Sequence, residues 1–204
     1  MKLPASSPRE TSMQSATPGK LIIISGPSGA GKTTVVRRLL KKSELPLELS
    51  ISATTRPPRE GEVDGQDYHF LTFDQFQEKR KNGEFLECFE VFGKGYWYGT
   101  LEKPVATSRQ AGKWVILEID VQGAIHVIGQ HADAITIFVR PSSLEELERR
   151  LRGRGTETEE KIQQRLATAR HEIEASQAYE YTVINEDVEA AVQRLCAIFE
   201  TSGA

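Results

Sequence analysis

The stretch Leu21-Ile22-Ile23-Ile24-Ser25-Gly26-Pro27-Ser28-Gly29-Ala30-Gly31-Lys32-Thr33-Thr34-Val35-Val36 decides the fold. Its first four residues form a short aliphatic run suited to a strand buried on both faces, and Val35, Val36, Leu39 and Leu40 then recur at helical spacing. Between the two lies Gly26 to Thr33, an ungapped G-x-x-x-x-G-K-[ST] pattern in the strand–loop–helix setting its mechanism requires. The glycines let backbone N–H groups point inward at phosphate oxygens, and the helix N-terminus adds partial positive charge. Lys32 is placed to bridge β- and γ-phosphates, and the Thr33 hydroxyl to ligate Mg²⁺. Gly26, Pro27, Ser28, Gly29, Ala30, Gly31, Lys32, Thr33 and Thr34 are therefore assigned to an ATP-type site with Mg²⁺ as the accompanying ion.

Working outward, Trp114 to Asp120, Ala134 to Val139 and Tyr181 to Asn185 read as further strands. The first two are followed by residues able to start a helix, and the third leads into a helix carrying Ala191, Leu195 and Ile198. Alternating strands and helices imply an α/β fold, a P-loop NTPase-type parallel sheet flanked by helices. Ser143 with Glu146, and Thr156 with Glu159, have capping-box spacing, and Ile162, Leu166, Ala169 and Ile173 follow at helical intervals. The stretch 52–100, dense in Gly, Pro, Thr and aromatics with short runs such as Tyr68-His69-Phe70-Leu71, breaks the alternation and reads as a small inserted subdomain. Residues 1–19 lack large apolar side chains in any stripe and read as a disordered tail, with folding expected to begin at Lys20.

A chain of 204 residues suits one domain with an insertion. Lys and Arg total 26 against 29 Asp and Glu, a net charge of −3, which argues against a general nucleic-acid or anionic-membrane binder. No apolar run approaches the ~18 residues of a membrane span, and the N-terminus has no signal-peptide h-region, so a cytoplasmic protein is expected. Cys88 and Cys196 stand alone outside any C-x-x-C pattern. His69, His126, His131 and His171 show no metal-ligand spacing.

The run Thr54-Thr55-Arg56-Pro57-Pro58-Arg59-Glu60-Gly61-Glu62 sets two arginines three apart on a proline-stiffened segment, ahead of Asp67-Tyr68-His69-Phe70. That run, the phosphate-loop sequence, Leu117-Glu118-Ile119-Asp120-Val121-Gln122-Gly123, and Arg150-Leu151-Arg152-Gly153-Arg154-Gly155-Thr156-Glu157-Thr158 together resemble guanylate kinases, in order, from residue 20 to about 200. The resemblance implies transfer of the γ-phosphate of ATP to GMP, with dGMP as a second acceptor. It also implies a core of 20–51 and 101–204, a GMP-binding insertion of about 52–100 and a helical lid of about 151–162.

The residue types agree with that chemistry. Guanidinium forks bind phosphate oxygens bidentately, so Arg56 and Arg59, helped by the Tyr68 and Tyr98 hydroxyls, suit the dianionic end of a nucleoside monophosphate. Guanine presents N1–H and N2–H₂ side by side, and one carboxylate accepts both; the resemblance places that role on Glu87. It likewise implies Ser52, Thr100 and Asp120 at the base, Glu62 at the edge of the same pocket, and Arg150, Arg154 and Arg165 around the migrating phosphoryl. Two departures from the family pattern are Gly93-Lys94-Gly95, two residues longer than usual before Tyr96-Trp97-Tyr98-Gly99-Thr100, and Glu118, a longer arm where many relatives carry Asp.

Two other readings stand beside this one at the level of sequence. A non-catalytic guanylate-kinase-like interaction module would tolerate a degraded phosphate loop, whereas Lys32, Thr33 and the lid arginines are all present. A P-loop kinase for another small acceptor is what the loop alone supports, and Arg56 to Glu62 with Glu87 argue against it. The implied partners are ATP and GMP, with no nucleic acid, membrane or obligatory protein partner.

Overall fold

A computed structural model describes residues 17–91, 95–153 and 158–203. β1 (Leu21–Ser25) is followed by α1 (Lys32–Lys42), β2 (Leu47–Leu49), β3 (Ala53–Thr54), β4 (His69–Phe70), α2 (Phe73–Lys81), β5 (Phe85–Val91) and β6 (Tyr96–Leu101). Then come α3 (Glu102–Gln110), β7 (Trp114–Glu118), α4 (Val121–Gln130), β8 (Ile135–Arg140), α5 (Leu144–Arg152), α6 (Glu159–Glu174), a 3₁₀ turn Ala175–Ala178, β9 (Tyr181–Ile184) and α7 (Val188–Thr201). Five strands form a wholly parallel sheet in the order β2-β7-β1-β8-β9.

Every residue of β1 is buried, and successive side chains feed opposite layers. Ile22 and Ile24 pack with Val35, Val36 and Leu39 of α1 and Val192, Leu195 and Phe199 of α7. Leu21 and Ile23 pack with Val105 of α3 and Val121, Ala124 and Val127 of α4. Two-sided burial is why the strand reads as a continuous aliphatic run. Parallel strands joined through helices bring the C-terminal ends of β1 and β7 to one edge, where ligands of open α/β sheets sit.

The insertion folds as a second, four-stranded sheet of order β4-β3-β6-β5, in which β6 pairs antiparallel with both neighbours. It also contains α2, whose N-terminus carries a full capping box: Thr72 accepts from the Gln75 N–H at 3.2 Å and Gln75 accepts from the Thr72 N–H at 2.9 Å. Only Phe76 of this helix is buried, stacked on Phe85 at 4.5 Å.

Three expectations need adjustment. Chain order reaches back to Gly19, whose N–H donates to the Arg109 carbonyl at 2.7 Å and whose carbonyl accepts from Arg109 Nε at 2.9 Å; residues 1–16 of the expected tail lie outside the described residues. The Ser143 cap is half a box: its Oγ accepts from the Glu146 N–H at 3.2 Å, while the Glu146 carboxylate turns to Arg149 and Arg150. Helix α6 starts at Glu159 with Thr158 as its N-cap; Thr156, the expected cap, lies outside the described residues, as does Arg154. Leu147 and Leu151 of α5 and Ile162, Leu166 and Ala169 of α6 make a cluster of their own. No described helix is long and apolar enough to cross a membrane.

Candidate active site

At the C-terminal ends of β1 and β7 a cleft of about 370 Å³ runs from the glycine-rich loop to the second sheet. Its loop wall comprises Gly26, Ser28, Gly29, Gly31, Lys32, Thr33 and Thr34. Gly26 has φ +140°, and a Cβ there would lie 1.9 Å from the Val139 carbonyl oxygen. Gly31, the N-cap of α1, has φ +88°. Both positions exclude side chains, which is how the chain turns tightly from strand into helix. Pro27 and Ala30 are not on the cavity wall. The Ala30 carbonyl is tied down from behind by Asn185 Nδ2 at 2.7 Å and Arg150 Nη1 at 3.4 Å.

Lys32 Nζ donates to the Gly26 carbonyl at 2.6 Å and the Pro27 carbonyl at 3.2 Å. Burial lowers its pKa, and Glu118, Glu172 and Asp120 oppose that shift. Thr33 Oγ1 donates to Glu118 Oε1 at 2.5 Å, placing hydroxyl and carboxylate together at the lip of the loop. From α6, Arg165 lines the cleft and donates to Ser28 Oγ at 3.3 Å. Arg150 does not reach the cleft wall, since Glu146 Oε1 at 2.7 Å and the Asn185 carbonyl at 2.6 Å hold it behind the loop.

The opposite wall carries Ser52, Arg56, Arg59, Tyr68, Glu87, Tyr98 and Gly99. Arg56 is only 8% exposed and heavily engaged. Its Nη1 and Nη2 each meet a Glu62 oxygen at 2.9 Å, its Nε donates to the Tyr98 hydroxyl at 3.1 Å, and it sits over the Tyr68 ring at 5.3 Å. The Arg56 hydrogen bonds hold the Glu62 carboxyl below the usual carboxylate range. Glu62, expected at the edge of the base pocket, is not on the cavity wall. Its Oε2 also accepts from the Arg59 N–H at 2.7 Å, so it braces both arginines.

Glu87 is 5% exposed, accepts from Thr100 Oγ1 at 2.7 Å, and is pushed up to about 7, chiefly by burial. Thr100 is itself buried and reaches the cleft through Glu87 rather than as part of its wall. Asp120, also on the wall, caps α4 by accepting from the Gly123 N–H at 2.9 Å. Gly123 lets the carboxylate approach closely, because a Cβ there would lie 2.8 Å from Glu87 Oε2. Burial beside Asp120 is what raises this carboxyl, with the Thr100 bonds opposing the shift.

This geometry has close counterparts. The family model described as guanylate kinase matches residues 18–202. The chain belongs to the guanylate kinase family. A guanylate kinase of Rhodopirellula baltica is 56% identical over 186 residues, covering 91% of this chain and 89% of that protein. One from a Nostoc species is 45% identical over 185 residues, with 91% and 92% covered. The crystal structure of guanylate kinase from Anaplasma phagocytophilum superposes with a TM-score of 0.74 at 33% identity, covering 91% of this chain and 87% of that one.

Within this guanylate kinase fold, Glu172 and Gly123 are site residues that sequence reasoning passed over. Glu172 lies seven residues after Arg165, two helical turns on, and that spacing was the available signal. Gly123 stood inside the Leu117 to Gly123 motif with no role attached, since the need for a missing side chain arises only when α4 meets β5.

Proposed function

We propose that the loop side of the cleft holds ATP, that the second sheet holds GMP, and that the γ-phosphate passes between them to give ADP and GDP. As a member of its family the chain carries out ATP-dependent phosphorylation of GMP. The observation that carries the residue-level reading is Glu87. A buried carboxylate held on one side by Thr100 is matched by the paired N1–H and N2–H₂ donors of guanine, and adenine offers no such pair.

On this reading Ser52 and Asp120 flank the base, Thr100 orients Glu87, and Arg59 with Arg56 grips the acceptor phosphate. Tyr68 and Tyr98 box Arg56 while presenting their hydroxyls to the same cleft. Lys32, the inward amides of the loop and Arg165 meet the negative charge that spreads over the transferring phosphoryl. Arg150 contributes by fixing the loop from behind. Mg²⁺ suits the oxygen donors at the loop's lip, with Thr33 as direct ligand and Glu118 beside it. When bound, that ion neutralises phosphate charge.

The test is ADP release from ATP with GMP, dGMP, AMP, CMP and UMP side by side. GMP is expected to be the strongest acceptor with dGMP second, and comparable turnover of AMP would overturn the reading.

A further inference from the structure

Asn185 stands just beyond β9 and is buried behind the glycine-rich loop. Buried polar groups need partners, and hydrogen bonds fix this residue through backbone and side chain alike. Its backbone N–H donates to the Arg140 carbonyl at 2.8 Å, its backbone carbonyl accepts from Arg150 Nη2 at 2.6 Å, and its Nδ2 donates to the Ala30 carbonyl at 2.7 Å. A carbonyl partner decides which end of the amide faces the loop, since only the NH₂ can donate to it. Gly31 makes that approach possible, because a Cβ there would lie 2.5 Å from Asn185 Nδ2. Arg150 is in turn steadied through its Nε by Glu146 at 2.7 Å, so Asn185 is held from α5 as well as from β8.

The other half of the same peptide group faces the cleft. Among the described residues no peptide bond is cis, and in a planar trans peptide the carbonyl and the following N–H point in opposite directions. The Ala30 carbonyl is drawn backward to Asn185, and Gly31 lines the cleft. Gly31 spends its own carbonyl on α1, accepting from the Val35 N–H at 3.1 Å, whereas the N–H of a helix N-cap has no acceptor within its helix. We infer that Asn185 is a positioning residue: by holding the Ala30 carbonyl behind the loop, it turns the Gly31 N–H into the cleft as a donor to a nucleotide phosphate. A peptide pinned in this way needs no rotation when the anion arrives, so the hydrogen bond forms without an added ordering cost. This inference rests on the reading of the loop as the ATP site.

The chain has two Ala-Gly pairs, Ala30-Gly31 and Ala111-Gly112. Protein labelled with ¹³C at alanine carbonyls and ¹⁵N in glycine therefore gives two carbonyl-correlated amide signals. Gly112, whose N–H donates to the Arg109 carbonyl at the end of β7 away from the cleft, serves as the reference. The experiment adds ADP with Mg²⁺ to the parent and to Asn185→Ala and follows both signals, with steady-state kinetics alongside. In the parent the Gly31 amide is expected to shift while Gly112 stays still. In Asn185→Ala that shift is expected to fall by about half or more, with the KM for ATP raised about tenfold, the KM for GMP within about twofold and kcat within about threefold of the parent. A merely structural role would move both substrates together and leave the Gly31 response intact, so an undiminished Gly31 shift or an unchanged KM for ATP overturns the inference. Should Asn185→Ala fail to fold, Asn185→Asp keeps the side-chain size and sets an oxygen against the Ala30 carbonyl. The Gly31 response alone is read there, because a new charge acts on ATP by itself; the same loss is expected, and a full response overturns the inference. If Gly31 stays silent to ADP in the parent, the loop is not the ATP site, and the reading beneath the inference fails with it.

Discussion

On the proposed reading, Glu87 is where a single side chain decides between bases. Its carboxyl lies near 7, well above the ordinary 4.5, because burial penalises the ionised form. Guanine's two donors need that ionised form, so below pH 7 binding must first expel a proton. The KM for GMP is therefore expected to rise as pH falls through 7, approaching about tenfold per unit. Glu87→Gln removes this dependence but keeps any contribution from the phosphate of GMP itself, so it serves as the control. A parent KM that stays flat from pH 8 to 6 contradicts the assignment. Arg59 offers the companion test at the phosphate end. Arg56 is committed to Glu62 and Tyr98, but the structure leaves Arg59 exposed on the cleft wall. Arg59→Lys, which exchanges a planar fork for a point charge, is expected to raise the KM for GMP about tenfold and leave that for ATP within about twofold. Steady-state titration of each substrate against saturating partner measures both.

At the scale of elements, the approach of α4 to β5 shapes the cleft around Glu87, the base pocket of the proposed reading. Gly123→Ala would place a methyl carbon 2.8 Å from Glu87 Oε2 and push the carboxylate aside. The expected result is a raised KM for GMP, about tenfold or more, with ATP affinity kept. Gly129→Ala, on the same helix with nothing within 4 Å, is expected to stabilise the fold by up to about 1 kcal/mol without touching KM. Thermal melting and kinetics on the pair separate helix propensity from the close approach. The same scale shows what the sequence disclosed. β1, its loop and α1 are legible because burial on both faces, the glycine spacing and the helical period each leave a mark in the chain. The insertion is less legible: β3 and β4 are two residues each, too short for any alternation, and α2 hides because one buried phenylalanine makes no stripe. Its Thr72–Gln75 capping box was there to be read.

The whole molecule sets two sheets on either side of one cleft. That arrangement joins residues the sequence keeps apart, so Glu87 meets Gly123 and Arg165 meets Ser28 only after folding. Arg37 of α1 reaches Asp67 of the insertion at 3.3 Å, an exposed bridge between the two parts that contributes little by itself. The motifs announced which chemistry the cleft would hold. The bracing of Arg56 by Glu62 lies within one motif but needs the loop's fold to be seen, and the placement of Arg150 behind the loop depends on tertiary packing with no local signature. The central claim is that one buried carboxylate on the second sheet selects the acceptor for the loop on the first. Its most direct test is the ratio of kcat/KM for GMP to that for AMP, measured at saturating ATP in the parent and in Glu87→Gln. The parent is expected to favour GMP by about 10⁴ or more, and the variant to lose about two orders of magnitude of that preference, mostly through GMP. An unchanged ratio in a folded variant would contradict the account.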